Sequence, residues 1–431
     1  MFHIIFSSDE NYIKYTAVLI NSIIKNTNTN LSFKDICKNS GFDAPKDSSF
    51  SSYKAINFDD LSSKQKQEGY IFHILSDNIS SQTQNKLNSL QNELNQIYPC
   101  QILIHIIDDK EFSNFPISGA AHSNFLPYYR LKLKNYLNQS VDRCLYLDSD
   151  MLCLCDLREL FAIDLGDNIL AAVNDPGSKK RKIKYKQNSQ IITHKFTNDY
   201  FNSGFLLINT KAYIENQIEQ KCQSLAQKCT YIKAADQDLL NATIQANKLL
   251  KLPIAYNFSS ISFCFSICKD ENPYRLNCTR AEFMQSYKEP KIIHYGEKPW
   301  RFLQSYTDSQ NRNINDIWWE FATDTPYFKD ELLEMKKDIK EYKLFAALGA
   351  EILRASEGIF GYFAIKNLIN NPQNDSNLSS DNISSELFGL CCILGEMIIY
   401  ARKHKKGALS VLLKVYKMKN TFKKYNTKLF I

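Results

Sequence analysis

The feature that most constrains the fold of this chain is a series of short apolar runs that each stop at polar residues. Runs at 2–6, 68–78 and 101–108 are separated by segments with helical periodicity, among them 15–25 and 81–98. Apolar runs of this length between polar turns are typical of buried strands, and their alternation with amphipathic helices is typical of α/β proteins. We therefore predict an α/β fold.

Four later runs, at 142–152, 168–175, 205–210 and 290–296, predict further strands that also end at polar residues. In open α/β sheets, ligands bind beyond the carboxyl ends of the strands. Their convergence at one edge predicts an active site. The polar side chains expected at that edge are Asp9, Asp148, Asp150, Asp175 and His294.

The length of 431 residues suits one large domain with an appendage. The α/β pattern stops near residue 320, so we predict one domain over 1–320 and a helical region over 321–431. The polar segment 27–68 interrupts the pattern and is interpreted as an insertion. The segment 123–137 is predicted as a helix with Pro127 in its first turn.

The positive charge is concentrated at the C-terminal end of the chain. The formal net charge is +7, and from Met397 onwards there are ten lysines and arginines and no acidic residue. A basic helix with one apolar face is drawn to anionic lipid, so we predict an interfacial segment here. No nucleic-acid recognition fold accompanies it, and no nucleic-acid partner is expected. The residues expected on the apolar face are Leu409, Val411, Leu412, Val415 and Met418.

Cysteine spacing and hydropathy bear on localisation. None of the 12 cysteines forms a C-x-x-C pair, which argues against a zinc ribbon, and their position in apolar runs suits free thiols in a reducing cytosol. The N-terminal apolar run is too short for a secretory signal, and no window reaches the roughly 20 apolar residues of a spanning helix. We expect a cytoplasmic protein, peripheral on the inner face of the membrane.

The strongest signal for chemistry is LYLDSDML, in which Asp148 and Asp150 follow an apolar run. Oxygen ligands suit Mg²⁺ or Mn²⁺, which usually complete their shell with substrate phosphate. A D-x-D pair alone is a weak signal, because short acidic pairs also arise by chance. His294, at the end of another predicted strand, can supply a third ligand. Beside it, Gly296 permits close backbone approach and Lys298 offers a point charge for phosphate.

Five blocks in order resemble the retaining glycosyltransferases of family 8, a group that includes bacterial lipooligosaccharide galactosyltransferases and glycogenin. The resemblance covers about residues 1–25 and 68–305. It implies a GT-A fold, that is, a Rossmann-like nucleotide-sugar domain with a mixed sheet, followed by a helical C-terminal region. It also implies bound Mn²⁺ (or Mg²⁺), a UDP-hexose donor and retention of the anomeric configuration. The blocks are FSSDENY, HSNFLPYYRLKL, LYLDSDML, YFNSGFLLIN with ADQDLLN, and HYGEKPW.

The resemblance implies roles for individual residues. The implied metal ligands are Asp148, Asp150 and His294. Those implied for the nucleotide are Ser8, Asp9, Asn11, Tyr12 and Ser149, with Gly296 and Lys298 at the diphosphate. Those implied for the transferred sugar are His122, Arg130, Asp175, Asn202, Asp236 and Gln237, of which Arg130, Asp236 and Gln237 are the candidate catalytic residues.

Retention leaves two mechanisms open. A double displacement needs a nucleophile opposite the leaving group, and the matching position is Gln237 or Asp236. Because an amide is a poor nucleophile, we favour substitution on a single face, with the departing phosphate taking the acceptor's proton. The expected acceptor is a glycan or glycolipid of the lipooligosaccharide core. Two alternatives stand: a non-catalytic member that binds nucleotide sugar or glycan, and a D-x-D metal-dependent phosphatase.

Overall fold

The structure is a computed structural model of the chain, and it describes residues 1–46, 48–116, 124–138, 140–177, 181–197, 199–263, 265, 276–301, 306–355, 359–378 and 385–425. The chain forms two compact units, one of residues 1–296 and 324–329, the other of 297–323 and 330–431. In the segment 297–323, the ring centroid of Trp318 lies 4.9 Å from those of both Trp300 and Trp319, and Lys336 Nζ, from the C-terminal part of this unit, lies 5.3 Å from the ring centroid of Trp319. The boundary expected at residue 320, between the α/β domain and the helical region, stays a prediction.

All the strands found among the described residues lie in the first unit. In chain order they are β1 (Phe2–Ser7), β2 (Tyr70–Ser76), β3 (Cys100–Ile106), β4 (Arg143–Leu147), β5 (Met151–Cys153), β6 (Leu170–Asn174), β7 (Lys182–Gln187), β8 (Gln190–Lys195), β9 (Phe201–Asn209), β10 (Cys229–Tyr231), β11 (Leu249–Lys251), β12 (Phe258–Ser259) and β13 (Ile292–His294).

A mixed seven-stranded sheet in the order β11-β6-β9-β4-β1-β2-β3 forms the centre of this unit. Strands β1 to β4 run parallel, whereas β9 is antiparallel to both β4 and β6. The central strands are mostly apolar because helices cover both faces of such sheets. The α/β fold expected from the sequence is confirmed.

Strand direction explains where the polar residues meet. The parallel strands β1 and β4 deliver their carboxyl ends, and hence Ser8 and Asp148, to one edge of the sheet. Because β9 runs the other way, with Phe205 opposite Leu147, its beginning at Asn202 lies at that same edge. A second sheet, β12-β13-β5, carries His294 next to Met151.

Within the described part of the first unit, eight helices pack around these sheets, and several begin at capping residues. Ser80 accepts from the Thr83 N–H at the start of its helix, and Thr279 with Glu282 forms a reciprocal capping box at another. These helices are α1 (Ile13–Lys25), α2 (Phe33–Asn39), α3 (Ser81–Leu94), α4 (Arg158–Phe161), α5 (Thr210–Glu215), α6 (Ile218–Lys228), α7 (Ala235–Thr243) and α8 (Arg280–Tyr287).

The helix expected over 123–137 is wrong. The described part of this segment instead forms two short 3₁₀ turns, Leu126–Leu131 and Leu133–Asn135. Residues 127–133 are buried without a break, whereas an α-helix on the side of a sheet buries only one face. Side chains must therefore leave this segment in several directions, which irregular turns allow.

The polar segment 27–68, interpreted as an insertion, lies against the first unit through backbone hydrogen bonds. Asp164 donates to the carbonyl of Lys54 at 2.9 Å, and Ser51 donates to that of Lys251 at 2.8 Å. The interpretation of this segment as an insertion stays a prediction.

The second unit is helical, as expected for the C-terminal region. The apolar face expected for the basic tail is partly wrong: Val411 and Val415 are buried among the other helices, whereas Leu409, Leu413 and Tyr416 are exposed. The side chain of Met418 lies outside the described residues. None of the helices, as far as they are described, is long and apolar enough to cross a membrane. The helices are α9 (Ile314–Thr323), α10 (Lys329–Ala355), α11 (Ile359–Asn370), α12 (Ser385–Lys403) and α13 (Ala408–Tyr425).

Candidate metal centre and donor site

Asp148, Asp150 and His294, the three predicted metal ligands, lie together. One ligand atom from each lies within 4.8 Å of the others, and His294 Nε2 is 3.3 Å from Asp150 Oδ1. The side chains of His294 and Asp150 are each 14% exposed, so the cluster is shielded yet open to a ligand. Two carboxylates and one imidazole form a donor set that fits Mn²⁺ or Mg²⁺.

Two residues that the sequence analysis did not assign shape this cluster. Nδ1 of His294 lies 2.9 Å from Oδ1 of Asn257; with the Nδ1 proton donated to this amide oxygen, Nε2 is left to bind a metal. Gly204 supplies the necessary space, since a Cβ there would lie 2.5 Å from Asp148 Oδ2 and 2.8 Å from His294 Cε1. In the sequence, the Asn-x-Gly of the block YFNSGFLLIN is a signal for a close backbone approach, whereas no sequence signal marks Asn257.

Arg130, a predicted sugar contact, is buried between two carboxylates. Its Nη2 lies 2.8 Å from Asp148 Oδ1, and its Nε lies 3.2 Å from Asp236 Oδ2. Burial alone would lower the pKa of this guanidinium, but the two carboxylates outweigh it and the net pKa is raised. Arg130 therefore places a permanent positive charge next to the predicted metal ligand Asp148 and orients this carboxylate.

Gln237 joins the predicted sugar-binding residues through both ends of its amide. Its Nε2 donates to Asp175 Oδ2 at 2.9 Å, and its Oε1 accepts from the Ser203 N–H and the Asn202 Nδ2, each at 3.1 Å. Asn202 Oδ1 in turn accepts from Asn257. A single network of amides thus connects the predicted sugar site with His294.

Asp238 has a structural role beside this network. Its carboxylate accepts from the backbone N–H groups of Lys233 and Ala234 at 2.9 and 2.8 Å and from the Tyr200 hydroxyl. These bonds fix the entry to α7, which carries Asp236 and Gln237 into the site.

Among the residues that the structure describes, the charges around the site sum to a negative value. The four carboxylates of Asp148, Asp150, Asp175 and Asp236 converge there, against the guanidiniums of Arg130 and Arg181, the latter 3.9 Å from Asp175. An excess of buried negative charge is costly unless a cation compensates it. The electrostatics agree with the donor set.

The residues predicted to hold the nucleotide are divided by burial. Ser8 and Ser149 are buried, and the Thr16 hydroxyl lies 3.0 and 2.9 Å from their hydroxyl oxygens. Asp9 accepts from the Tyr12 N–H at 2.9 Å, which closes the first turn of α1, whereas Asn11 is exposed. Nucleotide binding by these residues stays a prediction. Because the side chains of Ser8 and Ser149 are buried, these two serines would contact a nucleotide through their backbone groups.

Three further predicted residues are Gly296, Lys298 and His122. Gly296 donates its N–H to Ser260 at 3.0 Å, next to the strand that carries His294. Lys298 falls in the second unit, where its carbonyl accepts from the Arg301 N–H. His122 lies outside the described residues.

The comparison with protein families gives one result. The model of the family described as glycosyl transferase family 8 matches residues 3–304, which is more than two thirds of the chain.

Individual proteins of this kind are also similar to the chain. A lipopolysaccharide 1,2-glucosyltransferase of Escherichia coli is 27% identical over 68% of this chain and 83% of its own. A lipopolysaccharide 1,3-galactosyltransferase of Salmonella typhimurium is 25% identical over 65% of this chain and 80% of its own. Among solved structures, the galactosyltransferase LgtC with donor and acceptor sugar analogues has a TM-score of 0.51 at 20% identity, covering 77% of this chain and 99% of that one. The last likeness confirms the GT-A fold.

Proposed function

Because the chain belongs to glycosyltransferase family 8, we propose that it transfers a hexose, galactose or glucose, from a UDP-sugar to a glycan acceptor with retention of the anomeric configuration. Family membership sets aside the phosphatase alternative. The observation that carries the proposal is the convergence of Asp148, Asp150 and His294 at the edge of the sheet where the amides also meet. Mn²⁺ or Mg²⁺ bound there would stabilise the charge that develops on the departing diphosphate.

Hydrogen bonds around Gln237 support a substitution on a single face of the sugar. Both ends of its amide are already bonded to protein, so it orients its neighbours and does not attack. Asp236 is buried, and its carboxylate is paired with Arg130, which weakens it as a nucleophile. A double displacement requires a free carboxylate opposite the leaving group. We therefore assign Gln237 to orienting Asp175 and Asn202 beside the transferred sugar, and Arg130 to orienting Asp148.

The names of the two similar enzymes above support a bacterial acceptor. Both are lipopolysaccharide glycosyltransferases, one for a glucose and one for a galactose linkage. We propose that this chain extends a lipopolysaccharide or lipooligosaccharide core, and that either hexose is its donor sugar.

The exposed apolar side chains of α13 support peripheral attachment to the cytoplasmic face of the inner membrane. Leu409, Leu413 and Tyr416 follow one another at helical spacing and are 60–66% exposed, and lysines flank them. Such a face binds anionic membranes. We expect Leu409→Gln with Leu413→Gln to reduce co-sedimentation with anionic vesicles, whereas Ile97→Gln, at another exposed apolar residue, should not. Equal sedimentation of the two variants would contradict the attachment.

The first experiment is the release of UDP from a panel of UDP-sugars, with Mn²⁺ and with chelator. We expect release from one UDP-hexose, and a loss of about 100-fold or more with chelator or in Asp150→Asn, because both remove the stabilisation of the leaving diphosphate. Asp167→Asn changes an exposed acid in the same unit and should behave like the native protein.

Two other outcomes have distinct meanings. Tight Mn²⁺-dependent UDP binding without release from any sugar, with lipopolysaccharide core acceptors present, would favour the non-catalytic alternative. Absence of UDP binding would refute the proposed donor.

A further inference from the structure

The small sheet β10-β7-β8 presents one face made largely of lysines. Its antiparallel register places Lys182 opposite Lys195, Lys184 opposite Thr193 and Lys186 opposite Ile191. Directly opposed residues share a face, and successive residues alternate between faces. We call the side formed by Lys182, Lys184, Lys186 and Lys195, together with Thr193, Ile191 and Tyr231, the basic face.

The opposite side of this sheet is its packing side. Ile183 is fully buried in the main core, and Tyr185 packs partly against it, together with Cys222 and Ala226 of α6. The hairpin turns tightly at Asn188 and Ser189, which both adopt positive φ angles of 47° and 64°, as a two-residue turn requires. Because the other side of the hairpin packs on the core and its register is fixed, the basic face points away from the core.

Charges on the basic face are not compensated within the described chain. None of its four lysines lies within ion-pair distance of an acidic side chain among the residues that the structure describes. Lys182 and Lys195 are direct cross-strand neighbours, and like charges in that position destabilise a sheet. The repulsion between these lysines has a function if the basic face binds an anion, because the anion would neutralise the opposed charges.

The base of this hairpin is attached to the predicted sugar site. Arg181, the residue before β7, lies 3.9 Å from Asp175 Oδ2 and donates to the Tyr200 hydroxyl at 3.0 Å. Phe196, the residue after β8, donates its N–H to the carbonyl of Arg181 at 3.1 Å. From that point the six-residue strands extend over about 20 Å, with Lys182 and Lys195 nearest to the site.

We propose that the basic face binds the phosphate groups of an anionic acceptor glycan and aligns it along the hairpin towards the transferred sugar. This inference rests on the proposed transferase function. Lysine offers a mobile point charge and not the fixed fork of arginine, so the face suits phosphates at several positions on an extended chain. A membrane is a poorer fit. Interfacial segments bury a broad apolar face, whereas the large apolar side chains on the basic face are Ile191 and Tyr231.

Binding of a defined probe tests this proposal. The probe is labelled, delipidated lipopolysaccharide core oligosaccharide that carries phosphates, compared at low salt with the same oligosaccharide after chemical dephosphorylation. We expect the native protein to bind the phosphorylated form about tenfold more tightly, as a few charge-assisted contacts allow. In Lys182→Gln with Lys186→Gln this preference should fall to about twofold.

A matched control separates this face from general charge effects. Lys110→Gln with Lys221→Gln also removes two exposed lysines from the same unit and should keep the native preference. Equal binding of both oligosaccharides, no binding of either, or the same loss in the control would overturn the proposal. Thermal unfolding of each variant checks the fold, and loss of one of two opposed lysines should not lower the unfolding temperature.

Two further measurements separate glycan binding from membrane binding and from the transferase reaction. If anionic phosphatidylglycerol vesicles bind the native protein and release the Lys182→Gln with Lys186→Gln variant, while the oligosaccharides show no phosphate preference, the basic face is a membrane surface and the proposal is wrong. Metal-dependent UDP release by the native protein reports on the transferase function alone. Its absence would sink the proposed function, whereas release without any phosphate preference would sink only this inference.

Discussion

Gly204 shows how closely the backbone approaches the predicted metal ligands Asp148 and His294. It lies in β9 beside the end of β4, and its carbonyl accepts from the Asp148 N–H at 2.8 Å. No side chain fits at this position, because even a methyl group would overlap Asp148 and His294. The residue lies between two of the three ligands without being one of them.

We expect Gly204→Ala to weaken Mn²⁺ binding by about tenfold or more, since residues that orient metal ligands affect affinity on that scale. The added Cβ must push Asp148 or His294 away from its position. Isothermal titration with Mn²⁺ measures the effect. Gly41→Ala is the matched control, because its Cβ would meet nothing closer than the Tyr53 carbonyl at 3.9 Å. Native-like Mn²⁺ affinity in Gly204→Ala would contradict the assignment.

At the level of elements, two helices of the second unit approach each other through glycines. A Cβ at Gly349 in α10 would lie 1.9 Å from the Cys391 carbonyl oxygen, and one at Gly395 in α12 would lie 1.9 Å from that of Phe345. Small side chains, among them Ala346 and Ala350, surround this crossing. Each glycine makes room for the backbone of the other helix.

Gly349→Ala therefore has an expected sign opposite to that of an ordinary helix substitution. Replacing an exposed helical glycine by alanine stabilises by up to about 1 kcal/mol, but here overpacking should destabilise by about 1–3 kcal/mol. Thermal unfolding measures the change. Gly407→Ala, where a Cβ would meet nothing within 4 Å, should be close to neutral. A rise in unfolding temperature for Gly349→Ala would rule out this helix crossing.

Elements were predicted with uneven success, and the reasons are physical. Strands such as β1 and β2 were predictable because a strand that is covered on both faces is apolar over most of its length. The 3₁₀ turns around Arg130 were not, because their side chains point in several directions and give no consistent period. The β7-β8 hairpin was missed although lysines and apolar residues alternate over 182–186, because the neighbouring segment 190–195 does not alternate and no longer apolar run marks either strand.

Across the molecule as a whole, stability depends on a row of histidines that spans three strands. His3 Nδ1 lies 2.9 Å from His73 Nε2, and His73 Nδ1 lies 3.0 Å from His105 Nε2. Burial, with further positive charge nearby, lowers the pKa of His3 to about 4 and that of His73 to about 3, and burial lowers the pKa of His105. The folded protein holds all three rings neutral.

This row predicts a loss of stability in mild acid. The unfolded chain takes up protons on these rings below a pH of about 6.5, whereas in the folded chain His3 and His73 stay neutral until the pH approaches their lowered pKa values of about 4 and about 3. Stability from the row is therefore complete above pH 6.5 and falls as the pH approaches 4. We expect the unfolding temperature of the native protein to fall more steeply over this range than that of His73→Gln. His404→Gln, at an exposed histidine, should keep the native slope, and identical slopes for all three would exclude the row as the cause.

Local patterns in the sequence were sufficient for the α/β class, the family and the grouping of Asp148, Asp150 and His294. A buried strand is apolar, and Asp148 and Asp150 stand close together at the end of one. His294 was within reach because it also terminates an apolar run, and the carboxyl ends of such strands meet at one edge.

The neighbours of those residues became known only from the folded chain. Asn257 binds His294 from 37 residues away, and Arg130 lies between Asp148 and Asp236 because three separate segments converge on it. The exposed side of α13 likewise depends on which helices cover Val411 and Val415. Contacts of this kind leave no periodic trace in the sequence, since each depends on the packing of segments that are distant along the chain.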